Sequence, residues 1–233
     1  MQNILDIIIP IYNEQDNIER VLNQIKEHVK TPYLITVVLQ DKNDPTIEIL
    51  KPLQKKMKNL HIIFTKNGVG MLKALKEGFA NTKAPIITIM MGDLSDDAED
   101  IDKMIAKINK GYDLVCASRY YKNGKRIGGP IIKGFLSYLA CISLNAVIKL
   151  PTHDATNAFK TFKRSLLDEI VIESHEGFEM PIELTVKAFH KHKKITEIPT
   201  IWRDRESGKS KFTLWHNMPL YLRWYMYGII NRS

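Results

Sequence analysis

Short apolar runs alternate with amphipathic segments through the first half of the chain. The runs are rich in β-branched residues and end in polar turns, which is typical of strands buried on both faces of a sheet. The segments between them place apolar residues at helical spacing, as Ile18, Val21 and Ile25 do. The pattern predicts strands over 5–11, 34–39, 60–64, 85–90 and 113–117 and helices over 13–29, 46–57, 71–80 and 99–109. This alternation predicts an α/β fold with a mostly parallel, twisted, Rossmann-like sheet and helices on both faces.

The pattern becomes less regular after Arg119. Residues 122–130 are basic and glycine-rich and predict a loop, and residues 203–211 predict a second, charged loop. The other predicted elements are helices over 132–148, 165–170, 181–190 and 214–230 and strands over 158–162 and 194–201. The last helix is predicted to be amphipathic, with aromatic and basic side chains. Because the chain shows no repeat and no low-complexity linker, we expect one domain over 1–233, with a nucleotide-binding half over 1–118 and an acceptor half over 119–233.

Composition narrows the class of protein. Of the 233 residues, 44% are hydrophobic, which supports a sizeable core, and no apolar run approaches the roughly 20 residues that span a bilayer. The chain enters its first strand without a signal-peptide pattern, and its two cysteines, Cys116 and Cys141, lack metal-ligand spacing. We therefore expect a reduced, cytoplasmic protein. The formal net charge of +8 favours anionic partners such as phosphorylated substrates, anionic lipids or nucleic acid.

A cluster of carboxylates follows the fourth predicted strand. Asp93, Asp96 and Asp97 come just after its apolar run. Ligands bind at the carboxyl ends of strands in open α/β sheets, and grouped oxygen ligands suit Mg²⁺ or Mn²⁺. The cluster therefore predicts a metal–diphosphate site centred on Asp93. The alternative is that the acids cap the next helix, and it is favoured for Glu99 and Asp100.

Polar side chains also follow three other predicted strands. Glu14 can accept hydrogen bonds from a ribose diol, Asp41 can pair with the N–H of a base, and Arg119 can clamp a phosphate through two parallel hydrogen bonds. Each residue alone is a weak signal, because an acid at a strand end is often a helix cap. Their order along one sheet is more specific and predicts a nucleotide site.

Together these stretches make the chain similar to inverting GT-A glycosyltransferases of family 2, in the branch of dolichyl-phosphate mannose synthase and related polyprenyl-phosphate sugar transferases. The resemblance covers nearly the whole chain. It rests on Pro10-Ile11-Tyr12-Asn13-Glu14, Asp41 with Asp44-Pro45-Thr46, Gly68-Val69-Gly70 with Gly78-Phe79, Asp93-Leu94-Ser95-Asp96, Ser118-Arg119-Tyr120, Asp154 with Phe159, and Arg205-Glu206-Ser207-Gly208-Lys209-Ser210-Lys211. The last segment is unusually specific for this branch.

The resemblance implies transfer of a sugar, with inversion, from a nucleotide-diphosphate donor to a polyprenyl or dolichyl phosphate. The donor would be GDP-mannose or a UDP-sugar. The implied nucleoside contacts are Pro10, Tyr12, Glu14, Leu39 and Asp41, with Gly92 and Asp93 at the ribose and diphosphate. The implied phosphate ligands are Arg119, Arg205 and Lys211, and the implied catalytic residues are Asp93, Asp154 and Arg119. The loop over 203–211 would close over the bound diphosphate and exclude water.

The chain departs from the family pattern at three positions. The family's metal motif has Asp and Gln where this chain has Met91 and Ser95, and a thioether is a poor ligand for a hard cation. Asp93 would therefore bind Mg²⁺ or Mn²⁺ together with diphosphate oxygens, water and Ser95 or Asp96. The other departures are Gln40, where the family commonly has an acid, and Lys133, near where an arginine often follows the glycine-rich loop.

The nature of the acceptor decides whether a general base is needed. A polyprenyl phosphate is already anionic, whereas a sugar hydroxyl needs a carboxylate within reach, for which Asp154 is the candidate. The alternative is that Asp154 is a structural acid paired with a basic loop, and that alternative is favoured. The last helix has no room for a transmembrane hairpin, so a lipid acceptor would require peripheral contact with the cytoplasmic face of the membrane. The expected docking residues are Trp215, Leu220, Tyr221, Trp224 and Tyr225, with Arg223 and Lys209.

Other classes of function stay open. The main alternative is transfer to a glycan hydroxyl in polysaccharide synthesis. A nucleotidyltransferase would carry a glycine-rich loop after the first strand, where this chain has Pro10-Ile11-Tyr12-Asn13-Glu14. A nucleic-acid-binding module is supported by the charge alone, so we expect no nucleic-acid partner. Met91 and Ser95 also leave room for a catalytically silent nucleotide-binding scaffold.

Overall fold

Nine strands and eight helices make up the part of the chain that the structure, a computed structural model, describes: residues 4–66, 68–205 and 213–231. The strands are β1 (Leu5–Ile11), β2 (Tyr33–Leu39), β3 (Leu60–Phe64), β4 (Ile86–Ile89), β5 (Leu114–Ser118), β6 (Lys125–Ile127), β7 (Lys160–Lys163), β8 (Ile195–Pro199) and β9 (Ile201–Arg203). The helices are α1 (Ile18–His28), α2 (Thr46–Lys56), α3 (Met71–Asn81), α4 (Asp100–Asn109), α5 (Ile131–Ile148), α6 (Ser165–Glu169), α7 (Met180–His190) and α8 (Leu214–Ile230).

Seven strands form the main sheet, in the order β3-β2-β1-β4-β7-β5-β8. All of them run in one direction except β7, which lies antiparallel between β4 and β5. In this register Ile11, the last residue of β1, lies beside Leu39, the last residue of β2. The carboxyl ends of β1, β2, β4 and β5 therefore meet at one edge of the sheet, where α/β proteins bind their ligands.

Side chains of the central strands alternate between two apolar layers. Ile7 and Ile9 of β1 face the layer formed with α1, α2 and α4, whereas Ile8 faces the layer formed with α3 and α7. Because helices cover both faces, the strand shows a continuous apolar run instead of an alternating one. A third cluster joins α5, α7 and α8 through Cys141, Val186 and Trp224.

The predicted fold class is confirmed, and α8 has the predicted bounds. The strand predicted over 194–201 is divided at Thr200, and the loop predicted over 122–130 contains β6. The Thr200 amide donates to the Ser118 carbonyl at 3.0 Å, and the Thr200 carbonyl accepts from the Lys125 amide at 2.9 Å. The chain then leaves the main sheet, and β9 pairs with β6 as a separate ribbon. Strands of three residues are too short to show a period of two in the sequence.

Helix α5 corrects the expectation that no segment approaches the length of a membrane span. It has 18 residues and, within the described ranges, is the one helix long and apolar enough to cross a bilayer by length and composition. Only 22% of it is buried. The sequence hid this feature because Lys133, Gly134 and Ser137 interrupt the apolar run, although they share the helix with many large apolar residues.

Candidate active site

The turn after β4 holds Asp93 beside the end of β1. A Cβ atom on Gly92 would lie 2.2 Å from Cδ1 of Ile11, so the two strand ends approach too closely for a side chain there. Leu94 then adopts a φ of 64°, in the left-handed region that few residues with large side chains enter. Asp93 Oδ1 accepts a hydrogen bond from the Ser95 amide at 3.2 Å. The turn therefore fixes the Asp93 carboxylate at the carboxyl edge of the sheet.

One guanidinium connects two carboxylates from neighbouring strand ends. Arg205 Nη2 donates to Asp93 Oδ2 at 2.8 Å, and Arg205 Nη1 lies 3.7 Å from Glu14 Oε1. Glu14 follows β1, Asp93 follows β4, and Arg205 follows β9. Arg205 is 112 residues further along the chain than Asp93. The Asp93 side chain is 8% exposed and that of Arg205 23%, so the charges face one another in a partly dry cleft.

Glu14 is held in an environment that disfavours its charge. Burial and the nearby Asp93 carboxylate raise the pKa of Glu14 above its ordinary value, and Asn17 and Arg205 oppose that rise. Asn17 Nδ2 donates to Glu14 Oε2 at 2.8 Å, and the Glu14 amide donates to Thr46 Oγ1 at 2.9 Å. A hydroxyl pair, such as a ribose diol, would find a fixed acceptor here.

Asp44 is a positioning residue, and the sequence did not reveal that it contacts Asn13. Its buried carboxylate accepts from the Asn13 amide at 2.8 Å and from the Thr46 amide at 2.9 Å. Asn13 has a φ of 57°, so Asp44 stabilises an uncommon backbone conformation next to Glu14. The Asp-Pro-Thr turn was recognisable in the sequence, but its contact across 31 residues was not.

Asp96 and Ser95 shape the loop that carries Asp93. Asp96 Oδ2 accepts from the Met91 amide at 2.9 Å, and the Ser95 carbonyl accepts from the Arg203 amide at 3.1 Å. Burial raises the pKa of Asp96 to about 7, with the Met91 amide opposing the rise and the Asp93 charge adding to it. Both side chains are buried. The structure thus shows that Ser95 and Asp96 stabilise the loop, and their role in metal binding stays a prediction.

Arg119 and Asp154 form a bidentate pair inside the protein. Arg119 Nε donates to Asp154 Oδ2 at 2.7 Å, and Nη2 donates to Oδ1 at 2.8 Å. Nη2 also donates to Thr156 Oγ1 at 2.9 Å and lies 3.3 Å from Ser137 Oγ. Although burial opposes ionisation, the Arg119 guanidinium holds the pKa of Asp154 below its ordinary value. A carboxylate held ionised in this way is a poor proton acceptor, so the geometry favours the structural alternative for Asp154.

Lys133 connects this pair to the Arg205 bridge. Burial lowers the pKa of Lys133 to about 8, and the positive charges of Arg119, Arg126 and Arg205 add to that effect, with Asp204 opposing it. Lys133 of α5 therefore lies within electrostatic range of Arg119 after β5, Arg126 of β6 and Arg205 after β9. The cations here are matched by the carboxylates of Glu14, Asp93, Asp154 and Asp204, so a phosphate group would compete with these acids for them.

The predicted nucleoside contacts lie at the ends of β1, β2 and β4 and differ in exposure. Tyr12, Glu14 and Asp41 are half-buried, whereas Pro10, Leu39 and Gly92 are buried. Gln40 Oε1 accepts from the Gly70 amide at 3.0 Å and so fixes the glycine turn before α3 to the end of β2. Tyr12, Glu14 and Asp41 are therefore the residues of this set that offer side-chain surface to a ligand.

The donor set fits a divalent cation that is bound together with a diphosphate. The described residues contain no group of three or more His, Cys, Asp or Glu side chains placed to hold a metal ion. Asp93 nevertheless directs one oxygen at a positive charge, because its Oδ2 accepts from Arg205. Mg²⁺ is often held by one or two carboxylates, with phosphate oxygens and water completing its shell.

Lys211, predicted to bind phosphate, lies outside the described residues, and so does most of the loop predicted over 203–211. The first residues of that loop are described: Arg203 lies 3.9 Å from Asp97 Oδ2 through its Nη1, and Arg205 contacts Asp93. The proposed closure of the loop therefore stays a prediction.

The predicted docking residues of α8 lie on different sides of the helix. Trp215 is 75% exposed, whereas Trp224 is buried, with Lys187 and Arg223 over its ring. Tyr221 donates a hydrogen bond to the Phe178 carbonyl. The sequence alone did not separate the inner side of this helix from its outer side, because both sides carry aromatic residues.

A family model described as Glycosyl transferase family 2 matches residues 6–171 of the chain, which confirms the resemblance seen in the motifs. Dolichol-phosphate mannosyltransferase of Pyrococcus furiosus is 29% identical over 212 residues, covering 89% of this chain and 58% of the relative. Polyprenol monophosphomannose synthase of Mycolicibacterium smegmatis is 24% identical over 214 residues, covering 89% and 80%. Undecaprenyl-phosphate 4-deoxy-4-formamido-L-arabinose transferase of Pseudomonas fluorescens is 23% identical over 214 residues, covering 90% and 60%. The chain thus spans less than two thirds of the first and third relatives.

Solved structures share the fold. Glucosyl-3-phosphoglycerate synthase from Mycobacterium tuberculosis, in complex with Mn²⁺, UDP and glucosyl-3-phosphoglycerate, matches with a TM-score of 0.74. The match covers 99% of this chain and 81% of that one, at 16% sequence identity. The likeness confirms the predicted GT-A type of fold.

Proposed function

The chain belongs to glycosyl transferase family 2, and from this premise we propose that it transfers a sugar, with inversion, from a nucleotide-diphosphate donor to a polyprenyl phosphate. The three relatives described above are named for sugar transfer involving dolichol, polyprenol or undecaprenyl phosphate. The proposed donor is GDP-mannose or a UDP-sugar. The proposed site uses the residues at the carboxyl ends of β1, β2, β4 and β5.

The bridge from Glu14 through Arg205 to Asp93 is the observation that best supports this proposal. It places two carboxylates at the ends of two adjacent parallel strands, with a guanidinium between them. Arg205 lies 3.7 Å from Glu14 and 2.8 Å from Asp93. A nucleoside diphosphate presents hydroxyls, phosphate oxygens and an associated cation. These can pair with a carboxylate acceptor, a guanidinium and a second carboxylate, respectively. Glu14 would accept from the ribose, Arg205 would bind phosphate, and Asp93 would face the cation.

The remaining roles follow from the charges of the cleft. Tyr12 and Asp41 would contact the base, with Pro10, Leu39 and Gly92 shaping the walls. Arg205, Lys211 and Lys133 would hold phosphate groups of the donor or the acceptor, with Arg119 supporting them from its pair with Asp154. Mg²⁺ or Mn²⁺, held by Asp93 with Ser95 or Asp96, would offset the charge that develops on the leaving diphosphate.

The state of Asp154 favours an acceptor that needs no base. A phosphate oxygen is already anionic and can attack the anomeric carbon directly, while the diphosphate leaves with its electron pair. A sugar hydroxyl would have to lose a proton to a carboxylate. Since Arg119 engages both oxygens of Asp154, transfer to a glycan hydroxyl is the less favoured of the two functions.

A polyprenyl-phosphate acceptor would bring the enzyme to a membrane. We propose peripheral contact at the cytoplasmic face, with residues 1–118 binding the nucleotide and residues 119–233 facing the acceptor. The second half contributes Arg119, Arg126, Lys133 and Arg205, which agrees with a role in binding an anionic acceptor.

The test is transfer by the full chain in detergent. Radiolabelled GDP-mannose and UDP-sugars are each offered with undecaprenyl phosphate or dolichyl phosphate and Mg²⁺ or Mn²⁺, and label in the lipid extract is counted. We expect one donor to label the lipid. Arg205→Ala should reduce the rate by about 100-fold or more, because it removes a group that binds developing charge.

Arg203→Ala is the matched control for Arg205→Ala, because Arg203 carries the same charge two residues away and its Nη1 lies 3.9 Å from Asp97 rather than at Asp93. It should leave the rate within about threefold of wild type, as an exposed ion pair contributes little. Label in polysaccharide but not in lipid would replace the proposal with the hydroxyl-acceptor alternative. Nucleotide binding without transfer to either kind of acceptor would indicate a silent nucleotide-binding scaffold.

A further inference from the structure

Asp154 fixes the orientation of Arg119. The Arg119 backbone amide donates to Asp154 Oδ2 at 3.0 Å, and Nε and Nη2 donate to the two oxygens of the same carboxylate. Within the described residues Nη1 has no hydrogen-bond partner, and the Arg119 side chain is 12% exposed. Because a guanidinium is planar, an arginine that is held along one edge presents its other edge in a set direction. The direction of Nη1 therefore depends on the position of Asp154.

Asp154 belongs to a turn that is tied to strand β8. The Asp154 amide donates to Thr152 Oγ1 at 3.0 Å, and that hydroxyl donates to Glu197 Oε2 at 3.1 Å. The His153 amide donates to the same Glu197 oxygen at 2.7 Å. Thr152 and Asp154 are fully buried, so water is not at hand to replace these bonds. One carboxylate oxygen of β8 thus holds the turn through two donors.

The second oxygen of Glu197 holds the ring of His153. Glu197 Oε1 and His153 Nδ1 lie 2.5 Å apart, and the His153 ring stacks on Tyr121 with the ring centroids 5.5 Å apart. Tyr121 follows closely after Arg119 in the sequence. The segment after β5 and the turn therefore touch twice, through the pair of Arg119 with Asp154 and through the stacked rings. The Glu197 side chain is 7% exposed, and hydrogen bonds in such a dry setting are strengthened.

Glu197 lies outside the cleft of Glu14 and Asp93. Together with His153 it lines a cavity of about 500 Å³ beside β8, which is the last strand of the main sheet. The described residues around this cavity do not include Glu14, Asp93 or Arg119. Any effect of Glu197 on a ligand of the cleft is therefore indirect.

We propose that Glu197 is a positioning residue for the acceptor phosphate. Through Thr152 it fixes Asp154, and Asp154 orients Arg119 so that Nη1 meets a phosphate oxygen. Arginine binds phosphate with a set geometry, so a small displacement of the turn weakens the contact. The role rests on the proposed function, because that function supplies the phosphate.

Thr152→Val tests the connection with little change in shape, because it removes the hydroxyl between Asp154 and Glu197 and keeps the branched side chain. In transfer assays with the full chain, the KM for undecaprenyl phosphate should rise by about tenfold or more. Both kcat and the KM for the donor should change by less than about threefold, because Arg205 and Asp93 keep their places. Glu197→Ala should have the same effects.

Glu197→Gln is the conservative variant and should stay within about threefold of wild type. Its side-chain carbonyl can accept from Thr152 and from the His153 amide, while its NH₂ group can donate to an unprotonated Nδ1 of His153. Positioning by hydrogen bonds is thereby retained without the charge. A loss in Glu197→Gln as large as in Glu197→Ala would contradict this account of the turn.

A spectroscopic readout separates positioning from stability. The Arg119 Nε–H signal in a ¹⁵N–¹H NMR spectrum is assigned by its loss in Arg119→Lys, and it reports the hydrogen bond from Nε to Asp154. In Thr152→Val and Glu197→Ala this signal should shift, and its proton should exchange with water faster than in wild type. In Glu197→Gln it should stay close to its wild-type position.

Asp6→Ala is the matched control, because it also removes a buried carboxylate that holds a turn. Asp6 accepts from the Lys83 amide at 2.7 Å and from the Ala84 amide at 2.8 Å, at the amino edge of the sheet. The variant should lower the melting temperature and leave both the Arg119 signal and the KM for undecaprenyl phosphate unchanged. An equal shift of the Arg119 signal in Asp6→Ala would reflect general loosening and would overturn the proposal.

The remaining outcomes are equally decisive. An Arg119 signal and an acceptor KM that stay unchanged in Thr152→Val and Glu197→Ala would overturn the proposal. A fall in kcat with an unchanged acceptor KM would assign Arg119 to the leaving diphosphate and overturn the acceptor role. If wild type transfers no sugar, the proposed function fails, and the NMR signal by itself decides whether Glu197 orients Arg119.

Discussion

The charged side chains of the cleft are paired with each other, and an anionic ligand would compete for these pairs. Arg205 engages Asp93 and approaches Glu14, while the charge of Lys133 is disfavoured by burial and neighbouring arginines and favoured by Asp204. A diphosphate with its cation would compete with these internal partners, since it offers oxygens to Arg205 and a positive charge to Asp93. Arg119 differs because its Nε and Nη2 both donate to the buried Asp154 carboxylate.

Lys133 gives the proposed phosphate binding a dependence on pH. A lysine is charged below its pKa, and the pKa of Lys133 is about 8, so the free protein loses this charge as the pH rises through that value. Affinity for an anionic acceptor should fall over the same range, seen as a rise in KM with a smaller change in kcat. Lys133→Arg should remove this rise, because arginine stays charged. A KM that rises equally in both proteins between pH 7 and 9 would contradict this role.

Asp154 is expected to contribute to stability. Asp154→Asn removes the negative charge that pairs with the buried Arg119 and leaves that guanidinium without an ionic partner there. Breaking a buried pair on one side destabilises proteins by about 3 kcal/mol or more. Urea unfolding measures this loss. Asp168→Asn, an exposed acid on α6, should change the free energy of unfolding by less than about 0.5 kcal/mol. A stable Asp154→Asn protein with lost activity would instead support the role of Asp154 as a base.

Individual elements were predictable where a local signal exists. The strand β1 is a continuous apolar run that ends in a polar turn, and the helix α8 is a long stretch of apolar and aromatic residues, so their positions follow from the sequence. The short strands β6 and β9 have no such signal, because they depend on hydrogen bonds from Thr200 to chain segments far from it. The reach of Arg205 to Glu14 is likewise a product of the folded chain, as nothing in either segment specifies the other.

The close approach of β1 and β4 is an element-level constraint that can be tested. Gly92→Ala would place a Cβ atom 2.2 Å from Cδ1 of Ile11, so one strand end must shift. We expect a loss of about 1–3 kcal/mol in the free energy of unfolding, as for other overpacked sites. Ile11→Val removes the clashing Cδ1 atom and should recover part of this loss.

The control for this pair is Ile11→Val alone, which should destabilise by about 1 kcal/mol through loss of a buried methyl group. The double variant Gly92→Ala with Ile11→Val should then lose less free energy of unfolding than the sum of the two single losses. Chemical denaturation measures all three values. Strict additivity of the two changes would show that the strand ends relax independently and that this contact does not position Asp93.

The molecule as a unit combines a sheet edge, a set of paired charges beside it and a helix, α5, with an exposed apolar side. The motifs predicted the first of these, because glycosyl transferase family 2 carries its acids at strand ends that one parallel sheet brings together. The sequence did not predict the third, because the exposure of α5 depends on which side of it the core covers. Its absence of acidic residues was visible but has meaning only once the exposed side is known.

The most direct test of the account is the thermal stability of wild type and Asp93→Ala with UDP, GDP, CDP and dTDP, each with and without Mn²⁺ or Mg²⁺. A ligand at about 100 times its Kd adds roughly 2.7 kcal/mol, which raises the melting temperature by several degrees. We predict a metal-dependent rise with one nucleotide that is absent in Asp93→Ala and retained in Asp168→Ala. No rise with any nucleotide, or an equal rise in Asp93→Ala, would contradict a metal–diphosphate site at Asp93.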